Sequence, residues 1–163
     1  MATTLLGENT VHTVGDLPGV GTKAPDFTLT SGDFTDVTKT AGKRTVLDIF
    51  PSIATGVCQA GVRKFNELAA GLDNTEIVAV SQDLPFALAS FCAAEGLENV
   101  LVGSAFRSGF GTDYGVTMAD GGWRGLLARA VVVLDEDGTV LHAELTSAIG
   151  VEPDYDAAIA ALR

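Results

Sequence analysis

The sequence predicts an α/β fold, a central mixed β-sheet flanked by helices with an N-terminal β-hairpin extension. Three observations predict it. The β-branched apolar runs Thr45–Phe50 and Glu76–Ser81 read as buried strands. A stretch between them with 3.6-residue apolar spacing reads as a linking helix, so the three form a βαβ unit with parallel strands. Further on, Ala128–Leu134 and Thr139–Leu145 flank Asp135-Glu136-Asp137-Gly138 and read as an antiparallel hairpin.

Taken in order, the first 40 residues carry turn signals every few positions (Gly7, Asn9, Gly15, Pro18, Gly32) around short alternating pieces such as Thr10–Val14 and Asp26–Thr30, which fit short strands and loops. The Thr45–Phe50 strand is stopped by Pro51. The helix after it takes Thr55 as N-cap and ends at Gly71, with Cys58, Val62, Phe65 and Ala69 on one face. A second helix opens at Pro85 and closes before Gly96, with Leu88, Phe91 and Cys92 sharing a face. Val100–Val102 reads as a short strand, Ala105–Tyr114 as a Gly-interrupted helix, and Pro153–Leu162 as a closing amphipathic helix.

Composition narrows the function classes. A chain of 163 residues, 47% hydrophobic and 19% charged, is long and apolar enough to fold as one domain, residues 1–163, and no internal repeat or linker divides it. The net charge of −11 repels phosphate backbones and anionic lipid, which excludes nucleic-acid and membrane-surface partners. The longest uncharged run, Ile49–Val62, is shorter than the ~17 residues a membrane crossing needs. The N-terminus lacks the pattern of an export signal, and the expected location is cytoplasmic. Two cysteines are too few for a disulfide framework; in a reducing compartment such a pair is catalytic, redox-sensing or simply buried.

The chemistry therefore turns on Cys58. It lies in the first turn of a helix, directly after the carboxyl end of a buried strand, where unpaired backbone N–H groups and the helix dipole favour the thiolate, the nucleophilic form. Thr55 adds a hydroxyl beside it, and Pro51 restrains the loop and shields the sulfur. The alternative is a small core residue on an apolar stripe. Arg129 bears on the choice: a guanidinium within Leu126–Val133, an otherwise apolar run, needs an anion, and a thiolate is one. A solvent-facing edge, or a structural carboxylate such as Asp48, is the other way to satisfy it.

Pro51-x-x-x-Thr55-x-x-Cys58 resembles the peroxidatic motif of peroxiredoxins. The wider text, Ile49-Phe50-Pro51-Ser52-Ile53, Gly56-Val57-Cys58, Val62-Arg63-Lys64-Phe65-Asn66, Asp83-Leu84-Pro85-Phe86-Ala87, Phe91-Cys92, Tyr114-Gly115-Val116, Ala128–Asp135 and Glu152-Pro153-Asp154-Tyr155, resembles the bacterial thiol peroxidases, the atypical two-cysteine peroxiredoxins. The likeness covers nearly the whole chain. It implies a thioredoxin-like fold, a homodimer, hydrogen peroxide and alkyl hydroperoxides as substrates, and thioredoxin as reductant. It also implies Cys58 as the peroxidatic and Cys92 as the resolving cysteine, joined in a disulfide during turnover, with Thr55 and Arg129 as activating partners and Pro51 as shield. The chain departs from the pattern at Ala54, where many members carry Asp, and at Gly61, where Ser is common; the first removes a loop hydrogen bond and a local negative charge.

Competing motifs are weak. Neither G-x-G-x-x-G nor G-x-x-x-x-G-K-[ST] occurs, His12 and His142 are too few for a metal site, and C-x-x-C is absent. No cofactor is expected. Trp123, in a Gly-rich loop, is read either as simple surface packing or as part of an aromatic patch at a dimer interface, with the balance slightly toward the second. The rivals to a peroxidase are a redox-sensing interaction protein that uses the same thiol pair as a switch and a noncatalytic α/β binding module with two buried core cysteines.

Overall fold

The computed structural model describes all 163 residues. In chain order the elements are β1 (Thr3–Leu6), β2 (Asn9–His12), β3 (Leu29–Thr30), β4 (Asp36–Val37), β5 (Arg44–Ile49), α1 (Gly56–Ala69), β6 (Thr75–Ser81), α2 (Pro85–Glu95), β7 (Leu101–Ser104), α3 (Phe110–Asp113), β8 (Ala130–Leu134), β9 (Val140–Leu145) and α4 (Tyr155–Ala160). Seven strands form one mixed sheet in the order β4-β3-β7-β6-β5-β8-β9. Strands β5, β6 and β7 are parallel; β8 runs antiparallel to β5, and β9 to β8. β1 and β2 make the separate N-terminal hairpin, turning at Gly7, whose φ of 63° suits a residue without Cβ.

Period-two alternation along the central strands divides the core into two layers. Leu47, Ile49, Val78, Val80, Ala130, Val132 and Leu134 point to one face, where Phe27, Phe110 and Tyr114 cover them. Val46, Phe50, Ile77, Ala79, Val131 and Val133 point to the other, beneath α1, α2 and α4 through Cys58, Val62, Phe65, Leu88 and Ala158. Each fully buried aliphatic or aromatic side chain in these layers contributes ~1.5–3 kcal/mol. Right-handed crossovers from β5 to β6 and from β6 to β7 put α1 and α2 side by side on the second face, both starting at the carboxyl ends of their strands.

The mixed sheet, the βαβ unit and the C-terminal hairpin match expectation, and several boundaries move. Ala105–Tyr114 is helical only over Phe110–Asp113: the Phe110 amide donates to Ser108 Oγ at 3.2 Å in place of a helical carbonyl, and Arg107 Nε reaches across the fold to Thr30 Oγ1 at 3.1 Å. The expected strand at Val100–Val102 runs over Leu101–Ser104. Ala128 and Arg129 precede β8, because the Ala128 amide bonds Val116 O at 2.9 Å and not the neighbouring sheet strand. The closing helix is shorter than Pro153–Leu162, since Asp154 caps it by accepting from the Ala157 amide at 3.0 Å. β4, two residues long, carries too little pattern to be seen in the sequence.

Candidate active site

Cys58 is the third residue of α1 and has no exposed surface. Thr55 is in extended conformation (φ −99°, ψ 148°), which turns its side chain back over the helix start. Its Oγ1 accepts from the Cys58 amide at 3.4 Å, and its hydroxyl lies 2.8 Å from Cys58 Sγ. From the opposite side Arg129 Nη2 donates to the same sulfur at 3.3 Å. Two donors and a helix N-terminus thus converge on one buried sulfur. Pro51 is buried at the end of β5; lacking an N–H, it leaves the sheet ladder and starts the loop that delivers Thr55.

Arg129 is 3% exposed and held at both ends: Nε donates to Ile149 O at 2.7 Å, and its own carbonyl accepts from the Thr146 amide at 3.1 Å. The sequence left open whether its partner is the thiol, solvent or Asp48. Its hydrogen bonds go to the thiol and to Ile149, and it makes no ion pair with Asp48.

Asp48 nevertheless lies in the same layer. It alternates with Val46 and Phe50 on the α1 face of β5, Oδ2 has no hydrogen-bond partner, and a Cβ at Gly61 would sit 3.7 Å from it and 3.5 Å from the Tyr155 hydroxyl. Burial pushes its carboxyl up to about 7, against the opposing field of Arg129. The sign of the consequence is fixed. Between pH ~4 and about 7 the folded chain keeps a proton that the unfolded chain has lost, so this group's contribution to stability falls as pH rises through that window and is flat above it. Asp48→Asn removes the linkage. Urea unfolding from pH 4 to 8 is expected to show the variant gaining on the wild type with rising pH, by up to ~4 kcal/mol. Parallel curves for the two proteins would mean that Asp48 is ionised in the fold.

Cys92 is the eighth residue of α2, half-buried against the Cys58 layer, and burial pushes its thiol up. Cys58 and Cys92 are both free thiols. The structure thus brings Thr55, Arg129 and Cys58 into contact, puts Pro51 at the base of their loop, and leaves Cys92 on the neighbouring helix.

A cavity of about 230 Å³ opens beside this centre, lined among others by Thr55, Val57, Arg129, Leu6, Trp123 and Ile149. Its walls come from the N-terminal hairpin, the Trp123 loop and the segment after β9, three stretches that no local pattern connects. Trp123 packs beside the cluster of Val11, Met118, Ala128 and Ile149 under the hairpin, so the ring is a wall of this cavity. The role of Asp83, which the sequence shows only within Asp83-Leu84-Pro85-Phe86-Ala87, is not readable from local pattern. Its carboxylate accepts from Ser52 Oγ (2.9 Å), the Ile53 amide (2.7 Å) and Ser81 Oγ (2.6 Å), and so ties the loop before Cys58 to the β6–α2 connection.

Comparison with known proteins agrees with this geometry. Residues 19–159 match the redoxin family. The chain is 53% identical to the thiol peroxidase of Mycobacterium tuberculosis and 50% identical to that of Corynebacterium glutamicum, in each case over 99% of both chains. Among solved structures, a peroxiredoxin-like protein from Aquifex aeolicus superposes with a TM-score of 0.94 at 35% identity, covering 98% of this chain and 95% of that one. A thiol peroxidase from Chromobacterium violaceum shares the fold, with a TM-score of 0.88 at 20% identity, covering 95% of this chain and 91% of that one. A buried thiol on a helix start, a thioredoxin-like sheet beneath it and a full-length match of this degree lead to one assignment: the chain belongs to the redoxin family and, within it, to the thiol peroxidases, which are peroxiredoxin-type enzymes.

Proposed function

We propose that Cys58 reduces hydrogen peroxide and alkyl hydroperoxides, that Cys92 resolves the product, and that thioredoxin returns the electrons. The observation that carries this reading is the convergence of the Thr55 hydroxyl and the Arg129 guanidinium on Cys58 Sγ. The Cys58 thiolate attacks the terminal peroxide oxygen, the O–O bond breaks, and Cys58 becomes a sulfenic acid while the departing alkoxide or hydroxide takes a proton from water. Negative charge grows on that leaving oxygen, and fixed donors already in place stabilise it. The Cys92 thiolate then attacks the sulfenic sulfur and hydroxide leaves, to become water on protonation. Two electrons from a dithiol reopen the disulfide by thiol exchange. The cavity bounded by Leu6, Val57, Trp123 and Ile149 gives the organic tail of an alkyl hydroperoxide an apolar berth next to the sulfur.

The reading places the chain in the cytoplasm, where a dithiol reductant is maintained, as one domain over residues 1–163. It also makes the chain a homodimer. Support for this comes from an exposed aromatic patch in which Phe34 lies 4.9 Å from Phe86 and 6.5 Å from Phe106, centroid to centroid, beside exposed Leu84; such patches rarely stay open to water.

The test is steady-state consumption of hydrogen peroxide and of a bulkier alkyl hydroperoxide, coupled to thioredoxin and its reductase. A single oxidation without turnover would instead leave a redox switch. Cys92→Ser is expected to keep the first oxidation at the wild-type rate and to stop recycling by thioredoxin, so that Cys58 persists as sulfenic acid and gains a second oxygen in excess peroxide. Intact-mass measurement reads both products. Full thioredoxin-coupled turnover in that variant would assign resolution to a different thiol.

A further inference from the structure

Between the two chemical steps the protein must move. Cys58 is the third residue of α1 and Cys92 the eighth of α2, and both helices start at the carboxyl ends of adjacent parallel strands. At a rise of ~1.5 Å per residue the two cysteines differ by about 7–8 Å in depth, and packed helix axes lie ~8–10 Å apart. Arg63, which pairs with Glu95 and stands 5.4 Å from the centre of the Phe91 ring, shows the two helices side by side at this relative height. The combined separation exceeds the ~7 Å between Cα atoms that a disulfide permits. The first turn of α1 or the body of α2 therefore has to open after oxidation.

The bonds that resist this opening are few. Within Pro51–Thr55 the Ala54 amide donates to Ser52 Oγ (3.1 Å) and the Thr55 amide to Ser52 O (3.2 Å), and Gln59 Nε2 reaches Ile53 O from α1 (3.1 Å). All of these travel with the loop and the helix start. The hydrogen bonds that join the loop to another part of the fold end on the Asp83 carboxylate, one from the Ser52 hydroxyl and one from the Ile53 amide. Asp83 is itself anchored. Ser81 Oγ donates to its carboxylate and accepts from its amide (2.6 and 3.2 Å), and the Ser104 hydroxyl donates to its carbonyl. It also stands two residues before Pro85, at the root of the helix that carries Cys92. One side chain thus spans the roots of both cysteine-bearing segments.

We propose that Asp83 is the latch of the catalytic cycle: its bonds to Ser52 and Ile53 keep Cys58 between Thr55 and Arg129, and their release sets how fast oxidised Cys58 departs to meet Cys92. This deepens the peroxidase reading and rests on it, with Cys58 as the oxidised thiol and Cys92 as its partner. Asp83 acts through the loop and is a positioning residue. The latch controls a partition of the sulfenic acid. While latched, Cys58–SOH remains where a second peroxide molecule meets the same two donors, giving Cys58–SO₂H and water from hydrogen peroxide or an alcohol from an alkyl hydroperoxide. Once unlatched, it condenses with the Cys92 thiol to a disulfide and water. A tight latch favours the first oxidation and raises exposure to the second; a loose one does the reverse.

Asp83→Asn replaces one acceptor oxygen with a donor, so the side chain can no longer accept from Ser52, Ile53 and Ser81 together. Ser52→Ala removes a single latch bond and leaves the anchor to Ser81 untouched. In both, three quantities are measured after mixing with hydrogen peroxide: the rate of Cys58 oxidation, the rate of Cys58–Cys92 disulfide formation, and the yield of sulfinic acid by intact mass. Loss of bonds to a charged acceptor is expected to speed disulfide formation about tenfold in Asp83→Asn, to lower the sulfinic yield by a similar factor and to slow the first oxidation. Ser52→Ala shifts all three in the same directions by less, and carries the test if Asp83→Asn does not fold. Faster amide exchange over residues 52–58 in the reduced variants accompanies these changes. Simple structural damage lowers oxidation and disulfide formation together, and that result overturns the latch, as do unchanged rates in both variants. A wild-type chain that forms no Cys58–Cys92 disulfide overturns the peroxidase reading itself; a wild-type disulfide indifferent to both substitutions overturns the latch alone.

Discussion

Cys58→Ser is expected to lower peroxide consumption to the uncatalysed background while leaving the fold in place. Serine is the near-isosteric replacement for a side chain with no exposed surface, and the new hydroxyl inherits the Thr55 hydroxyl and Arg129 Nη2 as hydrogen-bond partners, so the buried polar atom is not orphaned. The change in unfolding free energy should stay within ~1–2 kcal/mol. On the proposed mechanism, what is lost is the nucleophile. An alcohol is scarcely ionised at neutral pH, and its oxygen is far less reactive toward an O–O bond than a thiolate. The check has two parts, coupled turnover with thioredoxin and a peroxide-induced mass shift on the intact chain. Turnover above a small fraction of wild type would move the oxidised centre off Cys58, and a sulfenic acid found at Cys92 would name its replacement.

How much of this was legible before the structure depends on the range of the interaction. Thr55, Cys58, Val62 and Phe65 are spaced by one helix, so the capping hydroxyl, the buried thiol and the inward face follow from local periodicity and agree with the observed N-cap. Pro85 and Gly96 likewise bound α2 as read, with Gly96 in left-handed conformation (φ 66°). Arg129 was identifiable as an anomaly, a charge in an apolar run, but its partner was not, because the contact with Cys58 crosses 71 residues of chain. Asp83 was visible only as part of Asp83-Leu84-Pro85-Phe86-Ala87, with nothing in the sequence to show its role. Its role arises where the β5–α1 and β6–α2 loops meet, a consequence of parallel pairing that a one-dimensional pattern does not contain. The same holds for the cavity wall built from Leu6 and Trp123. The errors at Ala105–Gly109 and at Ala128–Arg129 have a common cause: backbone groups there found long-range or side-chain partners, and those outweigh weak local propensity.

Arg129→Ala is expected to slow oxidation of Cys58 by ~10²–10³-fold and to change the later disulfide step far less. The asymmetry follows from where charge develops. In the proposed first step negative charge leaves sulfur and accumulates on the departing oxygen within reach of the guanidinium, which already donates to Cys58 Sγ at 3.3 Å. In the proposed second step Cys58 leaves that cradle, so Arg129 no longer faces the reacting atoms. Arg129→Lys should recover only part of the loss, since an ammonium is a point donor and cannot bond both Cys58 Sγ and Ile149 O with the fixed geometry of the guanidinium fork. Stopped-flow oxidation and quenched-flow disulfide formation separate the two steps. A second readout distinguishes an electrostatic role from a packing role. The field of Arg129 opposes the burial that pushes the Asp48 carboxyl up to about 7, so its removal should drive that carboxyl higher still. The window in which stability falls with rising pH should then extend upward past pH 7 in Arg129→Ala, whereas Arg129→Lys, which retains the charge, should keep it near the wild-type position. If oxidation is unchanged in both variants, Arg129 is a structural tie between β8 and the Ile149 segment. If instead oxidation and resolution slow by equal factors, the substitution has disturbed the α1 start as a whole, and the cradle assignment fails with it.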